Sequence, residues 1–221
     1  MPRRSYICNG ISQINLSGIT LAHGNNIIIR DLEIANPAGH ALNISDSQNV
    51  LIENVIPKHL ESITAKLIEC GVVVEENDDS IRIYSDCRPN HCSVKTMPHP
   101  GFPTDMQPQF SVLLSVARGN SMVSESVWDN RFRYIEQLMR MGAKITVDGK
   151  SAFIKGVDKL HGAPVIANDL RAGAAMVIAG LMADGETTVG NIKLIDRGYE
   201  SLVEKLTAVG ADISRANFEE E

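Results

Sequence analysis

The sequence predicts an α/β fold built from a repeat of roughly 65–70 residues. Three amphipathic helical patterns each end at a glycine and lead into a strand, and these glycines, Gly71, Gly142 and Gly210, lie 71 and 68 positions apart. Two further helical patterns are apolar almost all round, which indicates buried helices. The predicted repeat is a buried helix, a strand, an amphipathic helix and a hairpin, with the apolar helices inside and the sheets outside.

The length, composition and charge of the chain argue against several classes of protein. The chain has 221 residues, of which 43% are hydrophobic and 22% charged, and its net charge is −6. This acidic balance argues against nucleic-acid binding, and the absence of an 18-residue apolar run argues against a membrane span. The first residues lack the apolar core of a signal peptide, and the four cysteines have no secretory context. We therefore expect a cytoplasmic protein with reduced thiols.

The helices and strands of the repeat follow from hydrophobic periodicity and glycine stops. Amphipathic helices are predicted at 59–70, 132–141 and 199–209. The strands that follow them are predicted at 72–75 and 80–84, at 143–147 and 151–155, and at 211–215. The buried helices are predicted at 104–118 and 168–184, with strands at 122–127 and 187–189. We assign residues 54–221 to this repeat-containing lobe.

Residues 1–53 follow another pattern, in which short β-rich runs alternate with Gly, Asn and Ser turns. Two similar runs, beginning at Asn25 and Gln48, are 23 positions apart, which is typical of parallel β-helix rungs. Two rungs alone leave their apolar faces uncovered. Two interpretations therefore stay open: a short β-helix-like segment, or ordinary strands that join the sheet of the following repeat. The buried helix expected before Gly71 has no counterpart in the helical periodicity of residues 1–56.

The stretch Pro98–Phe110, PHPGFPTDMQPQF, precedes the first buried helix. Its prolines predict an extended conformation over Pro98–Pro103, because proline fixes φ and disfavours helix at the preceding residue. Asp105 then stands where the helix should begin. At this point Asp105 is either a simple cap or a positioned base.

Acidic and basic residues recur at equivalent places in the repeat. Asp105 and Asp169 open the two buried helices, Arg131 and Arg197 precede amphipathic helices, and Arg171 lies one turn inside the second buried helix. Guanidinium groups suit carboxylate or phosphate, and helix N-termini add partial positive charge. The pattern predicts a pocket for a small phosphorylated or carboxylated ligand. The alternative is that each Asp caps its helix and each Arg makes a surface pair.

One cluster has the appearance of a metal site. The sequence from Cys87 to Cys92, CRPNHC, resembles a ligand cluster, but no second CxxC or His pair completes four ligands. We therefore predict no metal site, and the sequence implies no cofactor.

Four motifs together resemble the UDP-N-acetylglucosamine 1-carboxyvinyltransferases, a family of enolpyruvyl transferases. These are PHPGFPTDMQPQF, VWDNRF at 127–132, NDLRAG at 168–173 and IDRGYE at 195–200. The resemblance runs from about Asn54 to Arg215. It implies a protein of two lobes, each an inside-out α/β barrel of three βαβαββ units, with the substrates between the lobes.

The resemblance also implies an activity, namely transfer of enolpyruvyl from phosphoenolpyruvate to the 3′-hydroxyl of UDP-N-acetylglucosamine, the first committed step of bacterial peptidoglycan synthesis. By motif, Asp105 would act as the base at that hydroxyl, and Arg131 and Arg197 would hold phosphoenolpyruvate. The main chain at Val127 and the adjacent Trp128 would contact the sugar nucleotide. Asp169 and Arg171 would line the same cleft.

The resemblance has two departures. Trp128-Asp129 replaces the Phe-Glu typical of the family, which keeps an aromatic residue and a carboxylate. More importantly, the family's other lobe supplies a Lys-Asn pair and a loop with a reactive cysteine, and none of these motifs is present. We therefore expect a fragment or fusion that is inactive alone, with residues 1–53 outside the family. The alternative function is a non-catalytic lobe that binds a sugar nucleotide or anion, or an interaction module needing a separate amino-terminal lobe.

Overall fold

The computed structural model contains three four-stranded sheets of one topology and two buried helices, and it describes residues 3–11, 25–29, 48–53, 60–77 and 80–218. The strands are β1 (Arg3–Ile11), β2 (Asn25–Ile29), β3 (Gln48–Glu53), β4 (Val73–Glu76), β5 (Ser80–Tyr84), β6 (Ser93–Lys95), β7 (Asn120–Ser124), β8 (Lys144–Asp148), β9 (Ser151–Lys155), β10 (Pro164–Ile166), β11 (Thr187–Gly190) and β12 (Ala211–Phe218). The α-helices are α1 (Glu61–Glu69), α2 (Gln107–Ser115), α3 (Ile135–Arg140), α4 (Leu170–Met182), α5 (Lys193–Asp196) and α6 (Leu202–Ala208). Short 3₁₀ helices at Thr104–Met106 and Arg131–Tyr134 lead into α2 and α3.

The middle sheet shows the repeated topology most clearly. Its order is β6-β7-β9-β8, in which β6 and β7 are parallel and β9 is antiparallel to both β7 and β8. Helix α2 connects the parallel strands, and α3 leads into the hairpin. This unit is the βαβαββ arrangement that the family resemblance implied, and it has the predicted order of buried helix, strand, amphipathic helix and hairpin.

The amino-terminal strand completes another sheet of the same kind. The order is β10-β11-β1-β12, where β10 and β11 are parallel and β1 is antiparallel to both β11 and β12. In register, Ser5 lies opposite Gly190 on one side and Ala216 on the other. Strand β1 thus occupies the place of β9 in the middle sheet, which ties the start of the chain to its last strand.

Strands β2 and β3 belong to the same sheet as β4 and β5. They pair in parallel with Asn25 opposite Gln48, the offset of 23 residues that the sequence suggested. Strand β3 then pairs antiparallel with β5, giving the order β2-β3-β5-β4. The second interpretation, ordinary strands joining the following repeat, therefore describes this pairing, and the β-helix-like segment is not confirmed. Residues 30–34, the rest of the run that begins at Asn25, lie outside the described residues.

Helices α2 and α4 form the interior and pack against each other. Every residue of α2 is buried, and so is most of α4, as their lack of a polar face predicted. Gly173 lets α4 approach α5 closely, because a Cβ there would lie 2.5 Å from Ile195 Cγ1. Any larger residue at position 173 would therefore push α4 and α5 apart.

The glycines that defined the repeat have the conformation their position predicts. Gly71, Gly142 and Gly210 have φ of 79°, 94° and 94°, in the left-handed region that favours glycine after a helix. Two three-residue strands, β6 and β10, were not expected from the sequence, because such short runs carry too little periodicity.

The expectation of an extended Pro98–Pro103 is wrong. The Gly101 amide donates to the Pro98 carbonyl over 2.8 Å, and the Met97 amide donates to the Phe102 carbonyl over 2.9 Å. The segment is therefore a closed turn, and Thr96 and Phe102 form a β-bridge at its base. The turn places Phe102, three residues before Asp105, beside Thr96 at the end of β6.

No helix among the described residues is long and apolar enough to cross a membrane.

Candidate active site

Asp105 lies between two arginines from different repeat units. Its Oδ1 accepts from Arg131 Nη2 at 3.0 Å, and its Oδ2 accepts from Arg171 Nη2 at 2.8 Å. Arg131 Nη2 also lies 3.4 Å from the Thr104 carbonyl oxygen. Each carboxylate oxygen therefore has its own cation, in the charge-assisted arrangement that gives strong hydrogen bonds.

Local backbone geometry brings these three residues together. Asp105 is in the 3₁₀ helix before α2, and Arg171 is in the first turn of α4, which packs beside α2. Arg131 follows Asn130, whose φ of 56° is left-handed, a conformation that asparagine tolerates better than most residues. That turn directs the chain from β7 back towards Asp105.

The ion pairs are partly shielded from water. The side chains of Arg131 and Arg171 are 13% and 18% exposed, and that of Asp105 is 32% exposed. Burial opposes the charged form of Arg171, but its hydrogen bond to Asp105 and the Asp105 charge outweigh burial and raise the Arg171 pKa. Arg171 is therefore a permanent cation at this site.

Asp105 and Asp169 have different roles although they occupy equivalent positions. Asp169 is the N-cap of α4, with its Oδ1 accepting from the Ala172 amide at 2.8 Å. No side-chain cap is formed at the start of the 3₁₀ helix or of α2, so Asp105 is not a cap. The capping alternative is thus correct for Asp169 and wrong for Asp105.

Tyr199 closes one side of the site. Its ring is buried, and its phenol interacts with Arg171 and Gln109. Burial raises the pKa of Tyr199, and the neighbouring Arg171 partly counteracts this. Tyr199 belongs to the IDRGYE motif, but no role for it was predicted from the sequence.

The other residues predicted for the site stand at its margin. Arg197 follows α5 and is exposed, and none of the ion pairs between described residues includes it. Trp128 is 60% exposed and Val127 is 43% exposed. Trp128 lines an open groove of ≈ 800 Å³, together with Arg131 and Lys150.

A buried carboxylate, Glu125, was missed by the sequence analysis. It follows β7, is 2% exposed and accepts hydrogen bonds from Thr96 Oγ1, Thr104 Oγ1 and the amides of Val127 and Trp128. A signal existed, because the alternation of inward-facing residues along β7, Ser121 and Val123, continues to position 125. A charged residue at an inward-facing position is unusual enough to indicate a special role.

The segment Cys87–Cys92 does not form a metal cluster with other described residues. Among the residues that the structure describes, no group of three or more His, Cys, Asp and Glu is placed to hold a metal ion. Cys87 is exposed, whereas Cys70 and Cys92 are buried beside each other with free thiols.

A family model described as EPSP synthase (3-phosphoshikimate 1-carboxyvinyltransferase) matches residues 9–206. Proteins called UDP-N-acetylglucosamine 1-carboxyvinyltransferase match at about 50% identity. The protein from Caldanaerobacter subterraneus subsp. tengcongensis is 50% identical over 206 residues, which is 93% of this chain and 49% of that protein. The protein from Clostridium botulinum is 55% identical over 166 residues, 75% of this chain and 40% of its own length.

Solved structures show the same fold. The enolpyruvyl transferase NikO from Streptomyces tendae matches with a TM-score of 0.72 and 27% identity over 82% of this chain and 42% of its own. EPSP synthase from Acinetobacter baumannii matches with a TM-score of 0.62 and 18% identity over 77% and 43%, respectively.

These matches correct one expectation and establish the family. The family model begins at residue 9, so residues 9–53 are included in the match rather than foreign to it, in keeping with strands β1–β3 completing sheets of the repeated topology. The chain spans about half the length of the curated relatives it matches. The chain therefore belongs to the EPSP synthase family of carboxyvinyltransferases, with UDP-N-acetylglucosamine 1-carboxyvinyltransferases as its half-identical relatives.

Proposed function

We propose that this chain forms one lobe of a bacterial cytoplasmic enzyme that transfers enolpyruvyl from phosphoenolpyruvate to the 3′-hydroxyl of UDP-N-acetylglucosamine. The names of the half-identical relatives support this reaction. The observation that carries the proposal is Asp105, whose two carboxylate oxygens each face one arginine, at 3.0 Å from Arg131 and 2.8 Å from Arg171.

Asp105 has the chemistry of a base for a hydroxyl group. A carboxylate offers about four lone-pair positions, and the two arginines use one on each oxygen. Lone pairs therefore remain to accept the proton of a substrate hydroxyl. The two guanidinium groups also hold the carboxylate in one orientation, which a general base requires.

The arginines are the candidate ligands for phosphoenolpyruvate. Planar guanidinium donors match both its phosphate and its carboxylate. We assign Arg131 and Arg197 to this role and place Arg171 and Asp169 at the wall of the same cleft. The Arg197 side chain is exposed and so has room to move onto a bound anion, where positive charge would stabilise the developing negative charge.

The loop after β7 is the candidate contact for the sugar nucleotide. The amide of Val127 donates to Glu125 over 2.8 Å, which leaves the Val127 carbonyl as the main-chain group available to a ligand. The exposed ring of Trp128 offers an adjacent apolar surface for stacking.

The proposal includes a separate amino-terminal lobe. The chain spans about half of its relatives, and the residues that would supply the acid of the reaction are absent from its motifs. Acid and base must both lie within hydrogen-bonding reach of the reacting atoms. We therefore expect the chain to bind substrate weakly and to turn over only when the other lobe is supplied.

Calorimetric titration of the full chain with UDP-N-acetylglucosamine tests the binding step. Wild type should give a measurable heat, and Asp105→Ala should abolish or strongly weaken it. Asp184→Ala is the matched control, because Asp184 forms an exposed ion pair with Lys159 at the far end of α4. Equal heats for wild type and Asp105→Ala would remove Asp105 from the site.

Phosphate release in the presence of both substrates tests catalysis. The chain alone should release no phosphate above background, and adding the amino-terminal half of a relative should restore release. Robust turnover by the chain alone would contradict the need for a second lobe.

A non-catalytic lobe is the second candidate, and the half-length match favours it. Such a lobe would bind the sugar nucleotide or an anion without turnover even when the amino-terminal half of a relative is added. The two assays together distinguish the candidates, since only the first predicts restored phosphate release.

A further inference from the structure

The carboxylate of Glu125 connects the two segments that carry the candidate active site. Its Oε2 accepts from Thr104 Oγ1 at 2.9 Å, and Thr104 immediately precedes Asp105. Its Oε1 accepts from the amides of Val127 at 2.8 Å and Trp128 at 3.0 Å, in the loop that leads to Arg131. The two oxygens therefore bond to different segments, Oε2 to the Asp105 segment and Oε1 to the loop after β7.

Glu125 is held by neutral donors. Thr96 Oγ1 completes the set at 2.7 Å from Oε1, and Thr96 itself is fully buried and accepts from the Ser126 amide at 2.9 Å. No ion pair between described residues includes Glu125. A buried charge without a cation is costly unless several hydrogen bonds satisfy it. Four donors converge here, so this carboxylate has a defined position as well as a low exposure.

The contact with Thr104 is the one that matters for the site. The bonds to Val127 and Trp128 are local, because these residues are only two and three positions after Glu125. The bond to Thr104 spans 21 positions and fixes that turn against the 3₁₀ helix of Asp105. The Asp105–Arg131 ion pair lies directly between the two segments that this bond joins.

We propose that Glu125 is a positioning residue: its buried carboxylate sets the distance between the Asp105 segment and the 126–131 loop, so that Arg131 and the Val127 main chain face the ligand correctly. This inference rests on the proposed function for its ligand. Its geometric part concerns the Asp105–Arg131 pair alone and does not depend on that function.

Four variants distinguish the effect of the Glu125 hydrogen bonds from the effect of the Glu125 negative charge. Glu125→Gln keeps hydrogen bonds to both segments, because its carbonyl can accept from the loop amides and its side-chain amide can donate to a rotated Thr104 hydroxyl. Glu125→Ala removes every bond. Thr104→Val removes the bond to the Asp105 segment alone, and Thr104→Ser keeps the hydroxyl. We expect Glu125→Gln and Thr104→Ser to behave as wild type.

Two measurements on the full chain detect the effect of these variants. The first is the NMR signal of the Arg131 guanidinium, assigned through its loss in Arg131→Lys, which reports pairing with Asp105 without any ligand. It should move towards the position of a free arginine in Glu125→Ala and Thr104→Val. The second is calorimetric titration with UDP-N-acetylglucosamine, where these two variants should bind about tenfold more weakly or worse, the effect of losing one hydrogen bond to a charged group.

The outcomes are distinguishable. An unchanged Arg131 signal and unchanged binding in Thr104→Val would overturn the inference, and so would a Glu125→Gln variant as impaired as Glu125→Ala. If Glu125→Ala does not fold, Thr104→Val against Thr104→Ser still decides. If wild type gives no heat with the sugar nucleotide while the Arg131 signal shifts as expected, the proposed function fails and the positioning role stands.

Discussion

Arg171 Nη2 lies 2.8 Å from Asp105 Oδ2 although the two residues are 66 positions apart and belong to different repeat units. The contact exists because α2 and α4 pack side by side, so the polar residues at their amino-terminal ends meet. Arg131, from the same unit as Asp105, binds the other oxygen. The site is therefore a product of the pseudo-symmetry of the lobe, with one carboxylate shared by two repeats.

The first prediction concerns the strength of this contact between units. A double-mutant cycle with Asp105→Asn and Arg171→Met should give a coupling energy of about 1–2 kcal/mol in the free energy of unfolding, since the pair is partly buried and charge-assisted. Urea denaturation measures it. The exposed Asp129–Lys150 pair is the control and should show much weaker coupling. Equal coupling in the two pairs would mean that Asp105 and Arg171 gain nothing from their shielding.

The second prediction separates the two equivalent aspartates. Asp169→Ala should lower the free energy of unfolding by about 1 kcal/mol, because the Ala172 amide loses its cap. Hydrogen exchange should become faster at the Ala172 amide in this variant and remain as in wild type in Asp169→Ser, which can also cap. Asp105→Ala should leave that amide protected. Faster exchange at Ala172 in Asp105→Ala would contradict the separate roles.

The sequence predicts the repeat well because its signals are local. Helix-ending glycines adopt the left-handed conformation that their position demands, and the fully apolar helices are buried for lack of a polar face. These features need no knowledge of distant parts of the chain. The helix boundaries are predicted less well: α6 begins at Leu202 where 199 was expected, because Ser201 has a left-handed φ of 49° and stands before the helix.

Non-local pairing is what the sequence does not reveal. Nothing in Arg3–Ile11 indicates that this strand pairs with β11 and β12 at the other end of the chain. Equally, the spacing of Asp105 and Asp169 suggests equivalent roles, but only Asp169 begins an α-helix, whereas Asp105 lies in a 3₁₀ helix after Pro103. The difference between cap and counter-ion depends on this local detail and on the neighbouring helix.

The third prediction concerns alkaline pH. Burial raises the pKa of Tyr199 above its ordinary value of 10.0, with Arg171 opposing the shift. The folded state therefore favours the protonated phenol, and this stabilisation is complete below about pH 10 and is lost as the pH rises through the pKa of the folded state. Above pH 10, wild type should lose stability more steeply than Tyr199→Phe, as measured by urea denaturation at each pH.

Tyr84→Phe is the comparison variant: desolvation and the neighbouring Glu75 also raise the pKa of Tyr84, but its hydroxyl contacts Glu75 at the surface, so its removal should change the alkaline loss less than removal of the buried Tyr199. Ultraviolet titration of the phenolate should confirm that Tyr199→Phe removes a late-titrating group. A pH dependence that is the same in wild type and Tyr199→Phe would assign the alkaline loss to other residues.

The fourth prediction concerns competition between Asp105 and anions. Asp105 occupies donors of Arg131, the proposed ligand of phosphoenolpyruvate, and of Arg171 at the adjacent wall, so a phosphate bound here must displace or share with the carboxylate. Asp105→Asn removes the negative charge and keeps the shape. We expect inorganic phosphate to bind this variant about three- to tenfold more tightly than wild type, the scale of one partly screened ion pair. The gain should shrink at high salt.

Calorimetric titration with phosphate at low and high salt measures this gain, and Asp184→Asn serves as the control because its carboxylate pairs with Lys159 away from the site. The same Asp105→Asn variant should bind UDP-N-acetylglucosamine more weakly, since it has lost the acceptor proposed for the sugar hydroxyl. Opposite changes for the two ligands would follow only if Asp105 faces both of them. An Asp105→Asn variant with unchanged or weaker phosphate binding would mean that anions do not use these two arginines.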